Sequence, residues 1–313
     1  MKPFRLIAPC KDYLWGGSRL QEYGKISDSG RIAESWELSC HPDGESIIAD
    51  GEYEGRTLTE FLRDHPEAFG TNRERFDRFP VLIKLIDAKE NLSVQVHPDD
   101  AYALSHEGEL GKTEIWYIVE AQPDAELIYG FREELTKEEF RRAIEENTLL
   151  DKVKRVSVKA GDVFFIPAGT LHAIGKGILL AEIQQNSNIT YRVFDYGRVG
   201  ADGKPRELHI EKALDVTTLT PTVNSAPPDT GIAGHRIIGN VGSAFMVLTV
   251  LQESDDHILP SRFRHFLVLG GEAYLRCGET EFPLVKGTSV FVPSDVQPFE
   301  IKGKCSVIQT LIL

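Results

Sequence analysis

Three short stretches of this chain hold residues whose types and spacing suit metal-assisted chemistry. In Leu92-Ser-Val-Gln-Val-His97, taken as a strand, side chains alternate between faces. Ser93, Gln95 and His97 then share one face, and Leu92, Val94 and Val96 share the other. Lys112, Glu114 and Trp116 share a face of a second strand by the same alternation. If the two strands converge, an imidazole, a carboxylate and an amide oxygen come within reach of one ion. The third stretch, Gly161-Asp-Val-Phe-Phe-Ile-Pro-Ala-Gly-Thr-Leu-His172, ends on another imidazole. A lone histidine is more often a hydrogen-bonded core residue. The company of Gln95, His97 and Glu114 reverses that reading for His172.

Two neutral imidazoles, a carboxylate and an amide oxygen suit Zn²⁺, and they also serve other first-row divalent metals. The absence of thiolates and the open coordination positions favour a catalytic over a structural site. Behind His172 runs Glu182-Ile-Gln-Gln-Asn-Ser-Asn-Ile-Thr-Tyr-Arg-Val-Phe-Asp-Tyr-Gly-Arg198. As one continuous strand it would put Glu182, Gln184, Asn188, Thr190 and Arg192 on one face. That face either meets solvent or lines a pocket, and its closeness to His172 favours the pocket. Arg192 keeps its charge at any ordinary pH, so it would clamp an anion or stabilise developing negative charge. Lys84 interrupts the apolar run Phe79–Ala88 and either snorkels to solvent or enters the pocket. Trp15 and Trp36 read as core or pocket-wall aromatics. His41, His65, His106, His209, His235, His257 and His265 have no spacing that points to a site.

The elements that must position these groups are mostly strands. Short apolar runs alternate with turn signals such as Gly16-Gly17 and Asp43-Gly44. A short helix is expected over 57–68 and another over 136–147, each opened by a capping box (Thr57 with Glu60, Thr136 with Glu139). A third is expected over 207–217. Residues 219–234 are rich in Pro, Ser, Thr and Gly and read as a linker. They would separate a catalytic part, 1–218, from a C-terminal part, 235–313, built of short strands. The chain has 313 residues with a formal charge of −13. Nucleic acid is therefore not an expected partner. No apolar run reaches the ~20 residues of a membrane helix, so no membrane span is expected. The first residues mix charges and Pro with apolar residues, unlike a secretory leader. Cys10, Cys40, Cys277 and Cys305 form no CxxC and read as free thiols in a reducing cytoplasm. Monomer and homodimer both stay open.

The run ending at His172 has the spacing G-x5-P-x-G-x2-H, and Gly287-Thr-Ser-Val-Phe-Val-Pro293 copies its first half. In the second copy Asp295 replaces the second Gly and Pro298 replaces the His. Upstream, Glu114-Ile-Trp-Tyr-Ile-Val and His265-Phe-Leu-Val-Leu also look like counterparts. Two copies of one turn pattern among many short strands suggest two double-sheet jelly rolls, the second without ligands. The G-x5-P-x-G-x2-H element resembles the second sequence motif of the cupin superfamily. The expected fold class is thus mostly β, two cupin-type jelly-roll barrels with a few short helices.

Taken together, SVQVHPDD, GKTEIWY, PAGTLHA, EIQQNSNITYRVFDYGR, WGG at 15–17 and AESWELSCHP at 33–42 resemble the type I phosphomannose isomerases, especially their short bacterial form. The likeness covers most of residues 10–215. It implies a zinc-dependent interconversion of mannose 6-phosphate and fructose 6-phosphate through an enediol. It places the zinc ligands, for one ion per chain, on Gln95, His97, Glu114 and His172, and the essential arginine on Arg192. Ser93, Lys84, Lys112, Glu182 and Arg198 match further active-site positions. Asn188, in the substrate region, stands where some relatives carry an acid, so Glu182 and Lys112 both remain open as the group that moves the proton. The implied partner is a small sugar phosphate. The same ligand set also suits a non-haem-iron cupin dioxygenase, and a non-catalytic sugar-binding bicupin is a third possibility.

Overall fold

A computed structural model describes residues 1–71, 73–200, 203–223, 235–241, 244–251, 262–296 and 299–312; for 235–241 and 244–251 it describes the backbone alone. The expected linker lies outside the described residues from 224 onward, as do His257 and Pro298. The fold is mostly β, in three larger antiparallel sheets, and the site lies between two of them.

The first of these two has six strands in the order Val163–Ile166, Glu114–Ala121, Ile178–Gln185, Val81–Ala88, Glu34–Leu38 and Cys10–Lys11. The second has five, in the order Val153–Ser157, Glu126–Phe131, His172–Ile174, Val94–Val96 and Tyr191–Phe194. Between them pack Trp116, Ile118, Leu180 and Ile86 from one sheet and Leu127, Tyr129 and Ile174 from the other. Val94 and Val96 point away from this interior, as the alternation required. They pack with Phe140, Ala143, Ile144, Ala213 and Leu214 of two covering helices, Lys137–Glu145 and Ile210–Val216.

The strands Val81–Ala88 and Ile178–Gln185 are buried at every position, because the six-stranded sheet is covered on both faces. Its outer face, with Val81, Ile83, Leu85, Leu179, Ala181 and Ile183, shares one core with Phe263 and with Leu267, Phe291 and Ile308 of the third sheet. Each such Val, Leu, Ile or Phe side chain contributes roughly 1.5–3 kcal/mol by leaving water. The third sheet has eight strands. In order they are His235–Val241, Ala244–Leu251, Phe299–Ile312, Arg264–Cys277, Ser289–Val292, Phe4–Ile7 and Ile47–Ile48, with Thr280–Val285 beside Arg264–Cys277. It therefore takes strands from both sides of the 219–234 segment.

Both expected capping boxes form. Thr136 Oγ1 accepts from the Glu139 amide at 3.1 Å while the Glu139 carboxylate accepts from the Thr136 amide at 2.8 Å. The corresponding Thr57–Glu60 bonds are 3.2 and 3.1 Å. The helices are shorter than the sequence patterns, at Leu58–Asp64, Lys137–Glu145 and Ile210–Val216. The first stops where Pro66 opens a 3₁₀ turn, since proline disfavours helical backbone in the residue before it. The stretch after Glu182 is not one strand. It leaves the six-stranded sheet at Gln185, crosses over through residues 186–190, and joins the five-stranded sheet at Tyr191. Backbone bonds from Asn186 to the Pro80 carbonyl and from Ser187 to the Gln185 carbonyl hold the crossing.

The internal repeat is structural. Gly161 (φ 87°) and Gly287 (φ 84°) adopt the same left-handed conformation before strands that end at Pro167 and Pro293. The register corrects one sequence match. Ile166 pairs with Glu114, and its repeat counterpart Val292 pairs with Arg264, not with His265. A buried guanidinium, over the Phe299 ring at 4.9 Å, therefore stands where the first copy has its carboxylate.

Candidate active site and metal centre

Sheet register assembles the proposed ligands. Gln95 is the cross-strand partner of His172 on one side and of Arg192 on the other. His97 follows two residues later on the same face. Glu114 opens its strand on the opposing sheet and meets them across the interior. His97 Nε2 lies 3.2 Å from Glu114 Oε1, and His172 Nε2 lies 3.6 Å from Glu114 Oε2. The three ligand atoms fall within 4.8 Å of one another, and all three side chains are buried.

The donor set fits a divalent ion on its own geometry. His97 Nδ1 bonds the Ile189 carbonyl at 2.7 Å and His172 Nδ1 bonds the Thr170 carbonyl at 2.9 Å. Each ring thus carries its proton on Nδ1 and turns the Nε2 lone pair inward, the usual orientation of a metal-binding histidine. Both carboxylate oxygens of Glu114 are buried without a hydrogen bond. The Lys112 ammonium is only 2.6 Å from Glu114 Oε1, but too poorly aligned to count as one. Burial, with the Lys112 charge beside it, holds the His97 imidazole neutral, pushing its pKa down to about 3. Burial lowers His172 as well. Burial alone would raise the Glu114 carboxyl, but Lys112 and the two imidazoles overcome it and keep Glu114 ionised, well below the usual range. Gln95 Nε2 lies 3.5 and 3.4 Å from the two Nε2 atoms. Turned about its last torsion, the amide would offer its oxygen instead.

Beside this group lies a second buried cluster. Lys84 and Glu182 are cross-strand partners, as are Glu182 and Trp116. The Lys84 ammonium sits 3.4 Å from Glu34 and 3.5 Å from Glu182. Trp116 Nε1 donates to Glu182 Oε2 at 2.9 Å. Lys84 therefore enters the pocket and does not reach solvent. Burial and then the nearby Glu114 charge push the Glu182 carboxyl up to about 7. Burial opposes the Lys84 charge, but Glu34 and Glu182 outweigh it and the pKa rises.

A cavity of about 320 Å³ joins the two clusters, and Ser93, Gln95, Lys84, Lys112, Glu182, Asn188 and Arg192 all line it. Gln184, on the shared face, instead donates to the Gln185 and Ser187 carbonyls. Arg198 does not line the cavity; Asp195 and the Asn91 carbonyl take up its guanidinium. Arg206 and Glu34 line it and were not singled out from the sequence. The alternation of Glu34-Ser-Trp-Glu, with Trp36 beside Lys84 in register, carried the signal for Glu34. Arg206 had none, because a hairpin brings it in. A larger cavity, about 460 Å³ and bordered by Leu62, Phe69 and Phe79, contains none of the metal-capable residues. The four cysteines are free thiols. Among the described residues no helix is long and apolar enough to cross a membrane.

Comparison with known proteins places these residues in a family. Residues 3–127 match the profile of the phosphomannose isomerase type I catalytic domain, and residues 250–312 that of the mannose-6-phosphate isomerase cupin domain. The chain is 39% identical over 310 residues to a mannose-6-phosphate isomerase of Streptococcus mutans, covering 98% of this chain and 97% of the relative. The crystal structure of the mannose 6-phosphate isomerase from Bacillus subtilis superposes with a TM-score of 0.91 at 37% identity, over 99% of both chains. A zinc-bound mannose 6-phosphate isomerase shares the fold, with a TM-score of 0.80 at 18% identity over the whole of both chains.

Proposed function

The chain belongs to the type I phosphomannose isomerase family, and from that premise we propose that it interconverts mannose 6-phosphate and fructose 6-phosphate through an enediol, with one zinc ion per chain. The observation that carries this reading is the convergence of two inward-facing imidazole nitrogens on a buried carboxylate that accepts no hydrogen bond, beside a second carboxylate whose pKa burial pushes up to about 7. His97, Glu114, His172 and the Gln95 amide oxygen would hold the ion. When bound, it supplies Lewis-acid polarisation of the sugar's carbonyl and neighbouring hydroxyl oxygens.

The remaining steps belong to side chains. Glu182 is the base: a carboxyl with its pKa near 7 is suited to take the proton from C2 of the aldose and return it to C1. Trp116 and Lys84 fix its position. The Lys112 ammonium gives a proton to O1 and receives one from O2. Arg192 meets negative charge, on the phosphate or on the enediolate. Ser93, Lys84 and Asn188 contact the sugar. Arg198 acts only by holding Asp195. The division into a catalytic part, 1–218, and a C-terminal part, 235–313, belongs to the same proposal.

The test is an isomerisation assay on mannose 6-phosphate before and after chelation, with metal measured on the same sample. We expect close to one zinc per chain, loss of turnover on chelation, recovery on adding zinc, and loss of metal in His97→Ala. Full turnover by metal-free protein would sink the proposal, and oxygen uptake with an organic substrate would favour an iron-dependent oxygenase.

A further inference from the structure

The edge strand Tyr191–Phe194 and the segment after it gather three guanidinium groups around one buried carboxylate. Arg206 donates from Nε and Nη2 to the two oxygens of Asp195, at 2.7 and 2.5 Å. Arg198 donates to Asp195 Oδ1 from Nε and Nη2, at 3.2 and 2.5 Å. Asp195 is 7% exposed, and Arg192 lines the same mouth. With three guanidiniums against one carboxylate, the cluster carries an excess of two positive charges. The Glu207 side chain, 83% exposed, does little to offset it.

Arg206 arrives by folding, not by strand periodicity. The chain turns back through a hairpin in which Val199 bridges Pro205 and the Gly200 amide donates to the Lys204 carbonyl. It is then clipped to the edge strand, since the His209 amide donates to the Arg192 carbonyl at 2.8 Å and the Arg192 amide donates to His209 Nδ1 at 3.2 Å. This leaves donors uncommitted. Arg192 Nε is buried with no partner, while its Nη1 donates to the Glu207 carbonyl. Arg206, which lines the cavity, donates from Nε and Nη2 to Asp195, and among the described residues nothing bonds its Nη1. The rest of the cavity lining carries Glu34 and Glu182 against Lys84 and Lys112, a balanced set beside the positive excess at the mouth. A ligand with a dianionic end and a neutral polar end has one favourable orientation in such a field.

We propose that Arg206, held in place by Asp195, is the specificity-determining residue for phosphorylation of the substrate: together with Arg192 it receives the phosphate dianion at the sheet edge. Asp195 is a positioning residue, and the C1–C2 end of the sugar is thereby turned toward Glu182 and Lys112. This rests on the isomerase reading above. Two charge-assisted donors aimed at a dianion are the strong kind of hydrogen bond, and an arginine matches phosphate better than a lysine does.

The test uses the full-length, zinc-loaded enzyme. Rates are measured on mannose 6-phosphate and on unphosphorylated mannose, with inorganic phosphate as a competitive probe. Arg206→Gln should raise KM for mannose 6-phosphate about 10- to 100-fold with kcat nearly unchanged. It should weaken phosphate inhibition by a similar factor and lower kcat/KM on mannose far less than on mannose 6-phosphate. Arg206→Lys should recover part of the loss, and Asp195→Asn should move KM in the same direction by less. An unchanged KM and phosphate inhibition constant in Arg206→Gln would overturn the proposal, and so would an equal loss on both sugars. If Arg206→Gln fails to fold, Arg206→Lys decides the matter by the same split. A wild-type enzyme inactive on mannose 6-phosphate defeats the isomerase reading instead, and calorimetry of phosphate binding to wild type and Arg206→Lys then tests the clamp without turnover.

Discussion

Replacing Lys84 with methionine removes the charge that makes a pair of buried carboxylates tolerable. Lys84 is 3% exposed and stands 3.4 Å from Glu34 and 3.5 Å from Glu182. Removing one partner of a buried ion pair costs about 3–5 kcal/mol, because the remaining charge stays desolvated and unpaired. Methionine keeps the volume, so packing loss adds little. Part of the cost is avoidable, because Glu182 can take up a proton. Its pKa, already pushed up to about 7, rises further without the ammonium. In the folded wild type this carboxyl binds a proton more tightly than in the unfolded chain. Stability therefore falls as pH rises from about 4.5 to about 7, by about 3 kcal/mol in all. Glu182→Gln removes that penalty and should raise stability at pH 8 while abolishing turnover. The double variant Lys84→Met, Glu182→Gln should then be at least 1 kcal/mol more stable than Lys84→Met alone. Urea unfolding of the four proteins at pH 6 and pH 8, with pH–rate profiles of the active ones, reads both effects. In Lys84→Met the acidic limb of the rate profile should move upward. A loss below 1 kcal/mol in Lys84→Met, or strict additivity of the two changes, would refute the reasoning.

Two further outcomes follow from groups away from the chemistry. Burial, with the Lys25 charge nearby, pushes His265 down to about 3. Its folded pKa lies below the unfolded value near 6.5, so its stabilising contribution is complete above that pH and is lost as pH falls. The loss is about 2 kcal/mol by pH 5, and His265→Gln should show a flatter decline of the urea midpoint between pH 7.5 and pH 5 than wild type. Thr136→Ala removes a capping box and should cost about 1 kcal/mol in thermal unfolding without changing KM; an unchanged melting temperature would show that the helix Lys137–Glu145 is held by its packing alone.

The metal-capable cluster of His97, Glu114 and His172 was legible because strand alternation is a strict rule. Once 92–97 and 112–116 are strands, the faces of Gln95, His97 and Glu114 are fixed, and the G-x5-P-x-G-x2-H turn delivers His172 three residues after its second glycine. Gly169 has to lack a side chain there, since a Cβ would stand 2.9 Å from both the Val216 carbonyl and the Thr218 hydroxyl. Periodicity could not decide Lys84, because a sheet covered on both faces offers a lysine no solvent on either side. The places of Arg198 and Arg206 were hidden for a related reason. Their placement depends on a hairpin and on backbone bonds to His209, and a 2-residue period says nothing about either. The break after Gln185 was also hidden, since a crossing between two sheets can keep the same polar face toward the pocket that a straight strand would.

The strand Phe4–Ile7 lies between Ser289–Val292 and Ile47–Ile48, so one sheet is closed by segments almost a whole chain length apart. During synthesis at the ribosome that strand has no partner on one side until the last quarter of the protein has emerged. Meanwhile the outer face of the six-stranded sheet, with Ile83, Leu85 and Ile183, lacks its cover. Such long-range pairing makes folding slow and leaves apolar surface open in the interval. A nascent chain stalled before residue 289 would thus be a client for chaperones, and a fragment ending before that residue would aggregate although it holds His97, Glu114 and His172.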